Sequence, residues 1–437
     1  MSARTLSLLV NVTGVGHHPG AWTLPGLAPD SYVDPAHHAE VARIAERGAL
    51  DGLLLADIPA LADGVADGPG QALEPSVLLS YLSASTERIG LVLTGSTSFN
   101  EPWNLARRVL SLDHASGGRA GWNAVATFLP EAAHNFGRDA AYEHADRYRR
   151  ADEFIGIVRR LWDSWEDGAL LADVAGGEFA DPARIRPAGH DGEFFHVEGA
   201  LNLPRSPQGR PVQVQAGASE RGAALAGKWA EVVYAPLLDE AAAREYRVRL
   251  DDHTRRSERS LGSIRLLPGL VPVIGSTRAE AEARYAGLEA RVRPGAGQVA
   301  RAARTLGLDP DLTDPDAPLT EAQLSGPPPD RLPTGFFHAL AGAARRDGLS
   351  LAQLAARSLG GHRSVVGTPE QIADDIVRWW RAGLVDGFTL VPDALPDGLE
   401  TFVDHVIPLL RAQGAVRTGY EGTTLRDHLG LAHPERT

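Results

Sequence analysis

The sequence predicts an α/β protein built as a (β/α)8 (TIM) barrel, and three observations support this prediction. Short apolar runs alternate with longer amphipathic runs along most of the 437 residues. Such alternation favours parallel strands joined by helical crossovers. Eight of the short runs have strand character, and eight parallel strands close a barrel. An open doubly wound sheet is the alternative, although that fold usually has fewer strands and a dinucleotide fingerprint.

The predicted elements follow from runs of apolar residues and from their periodicity. The predicted strands are Leu6–Val12, Asp51–Ala56, Ile89–Thr94, Gly121–Ala126, Val212–Ala216, Glu231–Tyr234, Arg265–Ile274 and Gly387–Val391. The predicted helices are Pro35–Ala49, Pro75–Thr86, Trp103–His114, Tyr142–Trp165, Ser219–Trp229, Asp239–His253, Arg278–Arg293, Glu370–Ala382 and Gly398–Arg411.

Two long segments interrupt the alternation. Residues 168–210 are rich in Gly, Pro and Phe and predict an insertion that contains a hairpin. Residues 294–361 contain Asp-Pro pairs and the run Gly326-Pro-Pro-Pro-Asp330, and they precede the eighth strand. Loops of this length are usually functional or disordered, so this segment is a candidate lid over the barrel mouth or an oligomer contact. Because both insertions lie on connecting segments, we expect one barrel domain over residues 1–437.

Composition excludes several classes of function. The net charge of −13 argues against a nucleic-acid groove or an anionic membrane surface as a partner. The chain has no cysteine, which excludes disulfides and thiolate catalysis. The apolar run near the N-terminus is too short for a signal peptide or a membrane span, so we expect a cytoplasmic protein. The His, Asp and Glu residues show no spacing typical of a metal site.

Polar residues follow several predicted strands at the end where a barrel carries its function. His17 follows the first strand, Asp57 the second and Ser219 the fifth, while Thr94 ends the third. Asn123 lies in the fourth strand. Taken singly, each has an ordinary alternative as a helix cap or turn residue. Together they predict a site on one rim of the barrel.

A phosphate site is one interpretation of the segment from Gln213 to Gly222. An apolar strand ends there, small residues follow, and Ser219 caps a helix whose free N–H groups suit an anion. An ordinary helix cap is the alternative. His144 and Tyr148 are four residues apart in a predicted helix and therefore share a face, where they could donate to phosphate oxygens or lie exposed to solvent.

The segment Ser111–Asn123, with the sequence SLDHASGGRAGWN, is the most specific motif in the chain. Its Gly117-Gly118 pair predicts the end of a helix just before a strand. A tight turn at the stable end of the barrel would explain Asp113 to Arg119, whereas Trp122 and Asn123 enter the strand and are stronger functional candidates. The segment resembles a hallmark of flavin-dependent monooxygenases similar to nitrilotriacetate monooxygenase, within the bacterial-luciferase-like superfamily. Further matches at Asp51–Asp57, Gln215–Ser219 and Gly367–Glu370 extend the resemblance over nearly the whole chain.

The resemblance implies a luciferase-like barrel that binds reduced FMN and reacts it with O2. A flavin C4a-(hydro)peroxide would then oxygenate a carbon, nitrogen or sulfur atom of a small organic substrate. FMNH2 would come from a separate flavin reductase, and the protein would form a homodimer or homotetramer.

Family positions can be assigned residue by residue. The resemblance assigns flavin binding to Asp57, Thr94, His144, Tyr148 and Ser219, and it places His17 at a catalytic position where substrate and flavin meet. Many relatives have small polar residues where this chain has Thr127-Phe-Leu-Pro130, which predicts an apolar pocket wall.

Two other functions fit the same fold. One is an F420-dependent oxidoreductase that transfers hydride without O2, and the other is a flavin-binding protein without turnover. The long insertions and the hallmark favour the monooxygenase. The presence of His17, Asp57 and His144 favours a catalytic protein over a binding protein.

Overall fold

One curled parallel β-sheet forms the centre of the molecule, which we describe from a computed structural model. The structure describes residues 5–435 except 62–64, 66–67, 71–72, 293, 330–333 and 357–360. The strands are β1 (Ser7–Asn11), β2 (Gly52–Leu55), β3 (Gly90–Ser96), β4 (Ala120–Val125), β5 (Leu170–Asp173), β6 (Glu178–Ala180), β7 (His190–Asp191), β8 (His196–Val197), β9 (Val212–Ala216), β10 (Val232–Tyr234), β11 (Arg265–Leu266), β12 (Gly269–Ile274), β13 (Arg363–Gly367) and β14 (Gly387–Leu390).

Helices alternate with the strands of this sheet, as predicted. They are α1 (Pro35–Arg47), α2 (Pro75–Ser83), α3 (Pro102–Ser116), α4 (Pro130–Asn135), α5 (His144–Trp162), α6 (Glu220–Trp229), α7 (Glu240–Arg256), α8 (Arg278–Glu289), α9 (Ala296–Thr305), α10 (Glu321–Leu324), α11 (Thr334–Asp347), α12 (Leu351–Ala356), α13 (Pro369–Arg381), α14 (Asp397–Thr401), α15 (Ile407–Ala412) and α16 (Leu425–His428). Among the described residues, no helix has both the length and the apolar character needed to cross a bilayer.

The sheet differs from the predicted closed barrel of eight strands. Its order is β11-β10-β9-β4-β3-β2-β1-β14-β12-β13, with ten strands in the described part of the chain, all parallel. The predicted strand Arg265–Ile274 is two strands, because Leu267 and Pro268 separate β11 from β12 and proline cannot donate to a ladder. The short strand β13 was not predicted. The prediction is therefore confirmed as a curled parallel α/β sheet, not as a closed barrel.

The segment 265–274 nevertheless hydrogen-bonds on both of its edges. Leu267 N–H donates to the carbonyl of Val233, the residue at the centre of β10, over 2.8 Å. On the other side, Asp386 N–H donates to Leu266 C=O over 2.9 Å and Val391 N–H donates to Leu270 C=O over 2.8 Å. This segment thus links β10 to β14.

The inner face of the curl has an apolar layer and a polar layer. Side chains alternate between faces along a strand, and the inner apolar cluster contains Leu9, Leu54, Val92, Val212, Val214, Val232 and Leu267, with Leu425 and Leu429 from the C-terminal segment. Two residues beyond Leu9, Val92 and Val232, towards the carboxyl ends of their strands, come Asn11, Thr94 and Tyr234. Asn123 pairs in register with Thr94. We call these four residues the inner polar layer.

The amino ends of the strands form the closed end of the curl. Leu425 of α16 packs there, and a Cβ added at Gly90 would lie 2.3 Å from Leu425 Cδ1. Glycine at the start of β3 therefore makes room for this side chain. The carboxyl ends form the opposite end, which we call the mouth.

Both insertions have structure of their own. Residues 168–210 contain the antiparallel pairs β5–β6 and β7–β8, which confirms the predicted hairpin. Residues 294–361 contain α9 to α12, whose buried apolar side chains form a cluster distinct from the main core. Residues 330–333 and 357–360 of the candidate lid lie outside the described part of the chain. The single-domain organisation and the lid role remain predictions.

Candidate active site

The hallmark segment lies at the closed end, far from the rim that carries the strand-end residues. Its helix ends at Gly117, whose φ of 70° is left-handed. The Asp113 side chain is fully buried and accepts hydrogen bonds from Ala120 N–H (2.8 Å), Gln208 Nε2 (2.7 Å) and Ser206 Oγ. This pairing makes Asp113 a structural residue and confirms the interpretation as a turn at the stable end.

Trp122 and Asn123 point to opposite faces of β4. Trp122 packs on the outer face, with its ring centroid 5.8 Å from that of Phe154 and 6.0 Å from that of Trp162. Its Nε1–H donates to Gly95 C=O over 3.1 Å. The functional expectation for Trp122 is therefore wrong, because its position in the strand turns its side chain into the core. Asn123 belongs to the inner polar layer.

Tyr148 and Ser219 meet at the mouth, although they are 71 residues apart. Tyr148 Oη lies 3.0 Å from Ser219 Oγ, and Ser219 Oγ also accepts from Gly222 N–H over 3.1 Å. Ser219 is thus the N-cap of α6, and Tyr148 extends the cap from the neighbouring helix α5. Because the first N–H groups of a helix lack intrahelical partners, an anion could bind beside this contact.

The backbone before this cap is held on both sides. Gly217 has a φ of 139°, a conformation that favours glycine. Its N–H donates to Tyr234 C=O over 3.0 Å, and its C=O accepts from the hydroxyl of Tyr246 over 3.0 Å. The cap is therefore tied to the end of β10 and to α7.

His144 extends the same cluster. Its ring centroid is 5.0 Å from that of Tyr148, so the predicted shared helix face is present. Burial lowers the pKa of His144, and the positive charges of Arg147 and Arg221 lower it further. Arg147 and Arg221 thus place positive charge near His144, which favours a bound anion.

Glu220 does not oppose an anion at the cap. Its carboxylate accepts from His253 Nε2 over 2.7 Å and lies 3.9 Å from Arg249 Nε, both on α7. The side chain is 66% exposed. Its charge is therefore directed to the outer surface.

Asn123 on β4 lies beside β9, the strand that leads to Ser219, and Thr94 lies on β3, the next strand along. Asn123 Nδ2 donates to Thr94 Oγ1 over 3.0 Å, and both side chains are buried. Asn123 Oδ1 is buried without a hydrogen-bond partner among the described residues. A buried unpaired acceptor costs about 1–3 kcal/mol, so a ligand with an N–H or O–H group would satisfy it. These side chains fit a flavin, which presents both donors and acceptors.

Asp57 lies just beyond the end of β2 and is half-buried. Burial raises its pKa, the nearby charge of Glu74 adds to the rise, and Arg108 opposes it. Its electrostatic neighbours are thus in the loop before α2 and on α3.

His17 lies on the loop after β1, and its backbone N–H donates to Pro392 C=O over 2.9 Å. Its ring centroid is 5.5 Å from that of His362, which in turn bonds to Tyr234. Neither partner was predicted. Tyr234 ends a predicted strand, so the strand-end rule could have found it. His362 follows a long insertion and precedes the unpredicted β13, where no sequence signal indicated its place.

Comparisons with known proteins agree with this fold. Residues 13–386 match the family model for luciferase-like monooxygenases. The chain is 41% identical to nitrilotriacetate monooxygenase component A from Aminobacter aminovorans, over 99% of this chain and 97% of that protein. The structure of EDTA monooxygenase from Chelativorans sp. BNC1 superimposes with a TM-score of 0.86 at 35% identity, over 98% of this chain and 99% of that one.

A third match contains a flavin. The structure of riboflavin lyase with modified FMN and riboflavin superimposes with a TM-score of 0.84 at 32% identity, covering 98% of this chain and 96% of that one. By contrast, the F420-dependent tetrahydromethanopterin reductase of Methanopyrus kandleri is 14% identical with a TM-score of 0.57, which shows the fold alone. The chain belongs to the luciferase-like monooxygenase family, and it is a flavin-dependent monooxygenase of the two-component kind.

Proposed function

We propose that the protein binds reduced FMN, with the flavin phosphate at the Tyr148–Ser219 contact and the ring system towards the inner polar layer. The proposal rests on that contact, in which two hydroxyls, one from α5 and one from the N-cap of α6, meet at the N-terminus of α6. A helix N-terminus with adjacent hydroxyl donors is suited to a phosphate. Arg147 and Arg221, whose charges act on His144, would balance its negative charge.

The flavin ring would extend from this cap towards Thr94 and Asn123. Asn123 Oδ1 would accept from a ring N–H, and Asp57 would contact the ring from the end of β2. When bound, reduced flavin supplies the activation of O2 for insertion of one oxygen atom into a carbon, nitrogen or sulfur centre. His17 would hold or move a proton where substrate and flavin meet, because imidazole exchanges protons near neutral pH. Residues 294–361 would act as a lid that excludes water.

The rim near Asp57 favours an apolar substrate. Phe99 and Phe136 follow β3 and β4, and their rings are stacked 4.9 Å apart at 7°. Asn135 Nδ2 donates to Pro59 C=O over 3.0 Å, which joins this aromatic pair to the loop after β2. A small organic molecule with an apolar body would pack on this surface better than a polycarboxylate.

The remaining proposals concern partners and assembly. A separate flavin reductase supplies FMNH2, because the sequence has no dinucleotide-binding fingerprint. We further propose a cytoplasmic homodimer or homotetramer. The curled sheet would behave as a closed (β/α)8 barrel, supported by the hydrogen bonds of segment 265–274 to both β10 and β14.

An anaerobic titration tests the phosphate site. Ser219→Ala and Tyr148→Phe each remove one hydroxyl, and a charge-assisted hydrogen bond contributes about 1.5–3 kcal/mol. We therefore expect affinity for FMNH2 to fall roughly 10- to 150-fold in each variant. Riboflavin, which lacks the phosphate, should bind wild type and variants with similar affinity.

Thr424→Ala is the matched control. Thr424 is the N-cap of α16 and accepts from Asp427 N–H over 3.1 Å at the closed end. Losing either cap should lower stability by about 1 kcal/mol, but only Ser219→Ala should weaken FMNH2 binding. Unchanged FMNH2 affinity in both Ser219→Ala and Tyr148→Phe would contradict the proposed site.

A further inference from the structure

We propose that His362, hydrogen-bonded to Tyr234, is a positioning residue that orients His17 and keeps its surroundings uncharged, so that one imidazole at the mouth exchanges the proton. The inference rests on the proposed function for the role of His17. It adds two residues, on β10 and before β13, to a site otherwise built from strand-end residues.

The Tyr234–His362 contact fixes one tautomer of His362. Tyr234 Oη lies 2.7 Å from His362 Nε2, and Asn11 Nδ2 donates towards the same hydroxyl over 3.5 Å. Since Asn11 donates towards the hydroxyl and His362 Nε2 is its nearest acceptor, we assign the hydroxyl proton to the bond with Nε2. The imidazole proton of neutral His362 then resides on Nδ1. The two rings also stack, 5.2 Å apart at 21°.

The backbone of β12 fixes the ring from the other side. A Cβ added at Gly269 would lie 2.2 Å from His362 Nδ1, so any other residue there would displace the imidazole. Nδ1 is buried without a hydrogen-bond partner among the described residues. The ring is therefore held by Tyr234 and by close packing on a glycine.

His17 packs on this fixed ring. The His17 and His362 centroids are 5.5 Å apart at 55°. His17 N–H and His18 N–H donate to the carbonyls of Pro392 (2.9 Å) and Asp393 (3.0 Å). The ring of His17 is thus positioned by His362, while its backbone is positioned by the segment after β14.

The ionisable groups around His17 favour a single protonation site. Burial, with a smaller effect from the charge of His17, lowers the pKa of His362 to about 3 and that of His18 to about 4. Burial raises the pKa of the Tyr234 hydroxyl. The Asp393 carboxylate is paired with Arg284 over 2.6 Å. At neutral pH the two neighbouring imidazoles are therefore uncharged, and a proton can be held at His17 without repulsion from them.

The same tyrosine connects this pair to the proposed phosphate cap. Tyr234 C=O accepts from Gly217 N–H over 3.0 Å, while its hydroxyl reaches His362. A Tyr234→Phe substitution keeps the backbone bond and the ring stacking and removes only the hydroxyl. It should therefore alter His17 while leaving the backbone of the phosphate cap in place.

Histidine NMR of the flavin-free protein tests the positioning role directly. With 15N-labelled histidine, wild-type His362 should show the Nδ1–H tautomer and no titration above pH 5. In Tyr234→Phe, His362 stays buried and neutral but loses the hydroxyl bond that holds its ring, so its tautomer ratio and the ring signals of His17 should both change. Gly269→Ala should give the same change by displacing the ring. Tyr420→Phe is the matched control, since Tyr420 Oη donates to Leu50 C=O over 2.6 Å at the closed end.

Stopped-flow absorbance with FMNH2 and O2, without substrate, tests the consequence for reactivity. At saturating FMNH2, the rate of flavin reoxidation in Tyr234→Phe should change about tenfold, the size expected for loss of a buried hydrogen bond. Unchanged His17 ring signals in Tyr234→Phe overturn the proposal, even if Gly269→Ala fails to fold. An unchanged reoxidation rate also overturns it. Failure of wild type to bind FMNH2 would instead refute the proposed function. The NMR experiment, which uses flavin-free protein, would still test whether His362 positions His17.

Discussion

The hallmark turn at the closed end and the mouth differ in how completely their buried polar groups are paired. In the hallmark turn, both Asp113 carboxylate oxygens accept hydrogen bonds, and the Arg119 guanidinium donates to five oxygen atoms from four residues. At the mouth, Asn123 Oδ1 and His362 Nδ1 are buried without partners among the described residues. A paired group stabilises the fold, whereas an unpaired one is costly until a ligand satisfies it.

This difference separates the signature of the family from its chemistry. The hallmark Ser111–Asn123 supplies Asp113, Arg119 and the glycine turn to the closed end, and only its last residue enters the inner polar layer. A motif can therefore identify the family with high specificity while most of its residues serve stability. The residues proposed to act on flavin come from strand ends and helices that are scattered along the sequence.

The largest expected effect is at the closed end. Asp113→Ala removes the acceptor for three buried donors, and each unpaired donor costs about 1–3 kcal/mol. We expect the free energy of unfolding to fall by about 3–5 kcal/mol, measured by urea denaturation. Protein that remains folded should bind FMNH2 with wild-type affinity, because Asp113 lies away from the mouth.

Asp316→Ala provides the matched control, since Asp316 is exposed in the insertion 294–361. It should change the free energy of unfolding by no more than about 0.5 kcal/mol. A loss in Asp113→Ala as small as that in Asp316→Ala would show that the closed end is not stabilised by this network.

The next largest expected effect is at the mouth, where the free energy of unfolding should depend on pH. Burial lowers the pKa of His18 to about 4, so the folded state keeps His18 neutral while the unfolded chain takes up a proton below about pH 6.5. The contribution of His18 to stability is thus complete above pH 6.5 and is lost as the pH falls towards 4. When the pH falls from 7 to 5, the free energy of unfolding should decrease in both proteins. The decrease should be about 2 kcal/mol smaller in His18→Asn than in wild type.

Comparing each variant with wild type separates the contribution of His18 from that of groups at the closed end. The contributions of those groups to stability change with pH in the opposite direction. Burial raises the pKa of Asp51 and of Asp113 to about 6, so their contribution is lost as the pH rises through 6. Asparagine retains an acceptor where His18 Nδ1 accepts from Gly20 N–H over 3.1 Å. His405→Asn, at an exposed position, should lose as much stability as wild type between pH 7 and pH 5. An equal loss in His18→Asn would refute the assignment.

Much of the fold could be predicted because its strands are apolar and its helices have clear caps. Val212–Ala216 was predicted to the residue, and the first helix begins at Pro35 as expected, where Asp34 accepts from Ala36 N–H. The division of 265–274 was missed because its apolar run continues through Leu267. The strand β13 was missed because Arg363 and Ser364 interrupt its apolar character.

Only part of the site could be predicted from the sequence, and the reason is physical. Residues at strand ends share an edge because parallel strands align, which is why His17, Thr94 and Ser219 could be placed on one rim from sequence. Helical spacing likewise placed His144 beside Tyr148. Nothing in the sequence brings His362 to Tyr234, because that contact depends on how the chain returns to the sheet after the insertion. The inward direction of Asn123 and the outward direction of Trp122 needed the strand register.

The smallest loss of stability is expected at Asn123, whose neighbour Trp122 faces the opposite way on β4. Trp122→Phe loses the indole bond to Gly95 C=O and leaves a cavity beside Phe154 and Trp162, so we expect a stability loss of about 2 kcal/mol. Asn123→Ala removes a bond to Thr94 but also removes a buried unpaired acceptor, so its stability loss should stay below about 1 kcal/mol. FMNH2 affinity should show the reverse order, unchanged in Trp122→Phe and roughly tenfold weaker in Asn123→Ala. Urea denaturation and anaerobic titration of the two variants measure both quantities, and equal FMNH2 affinities would show that the inner polar layer does not contact the flavin.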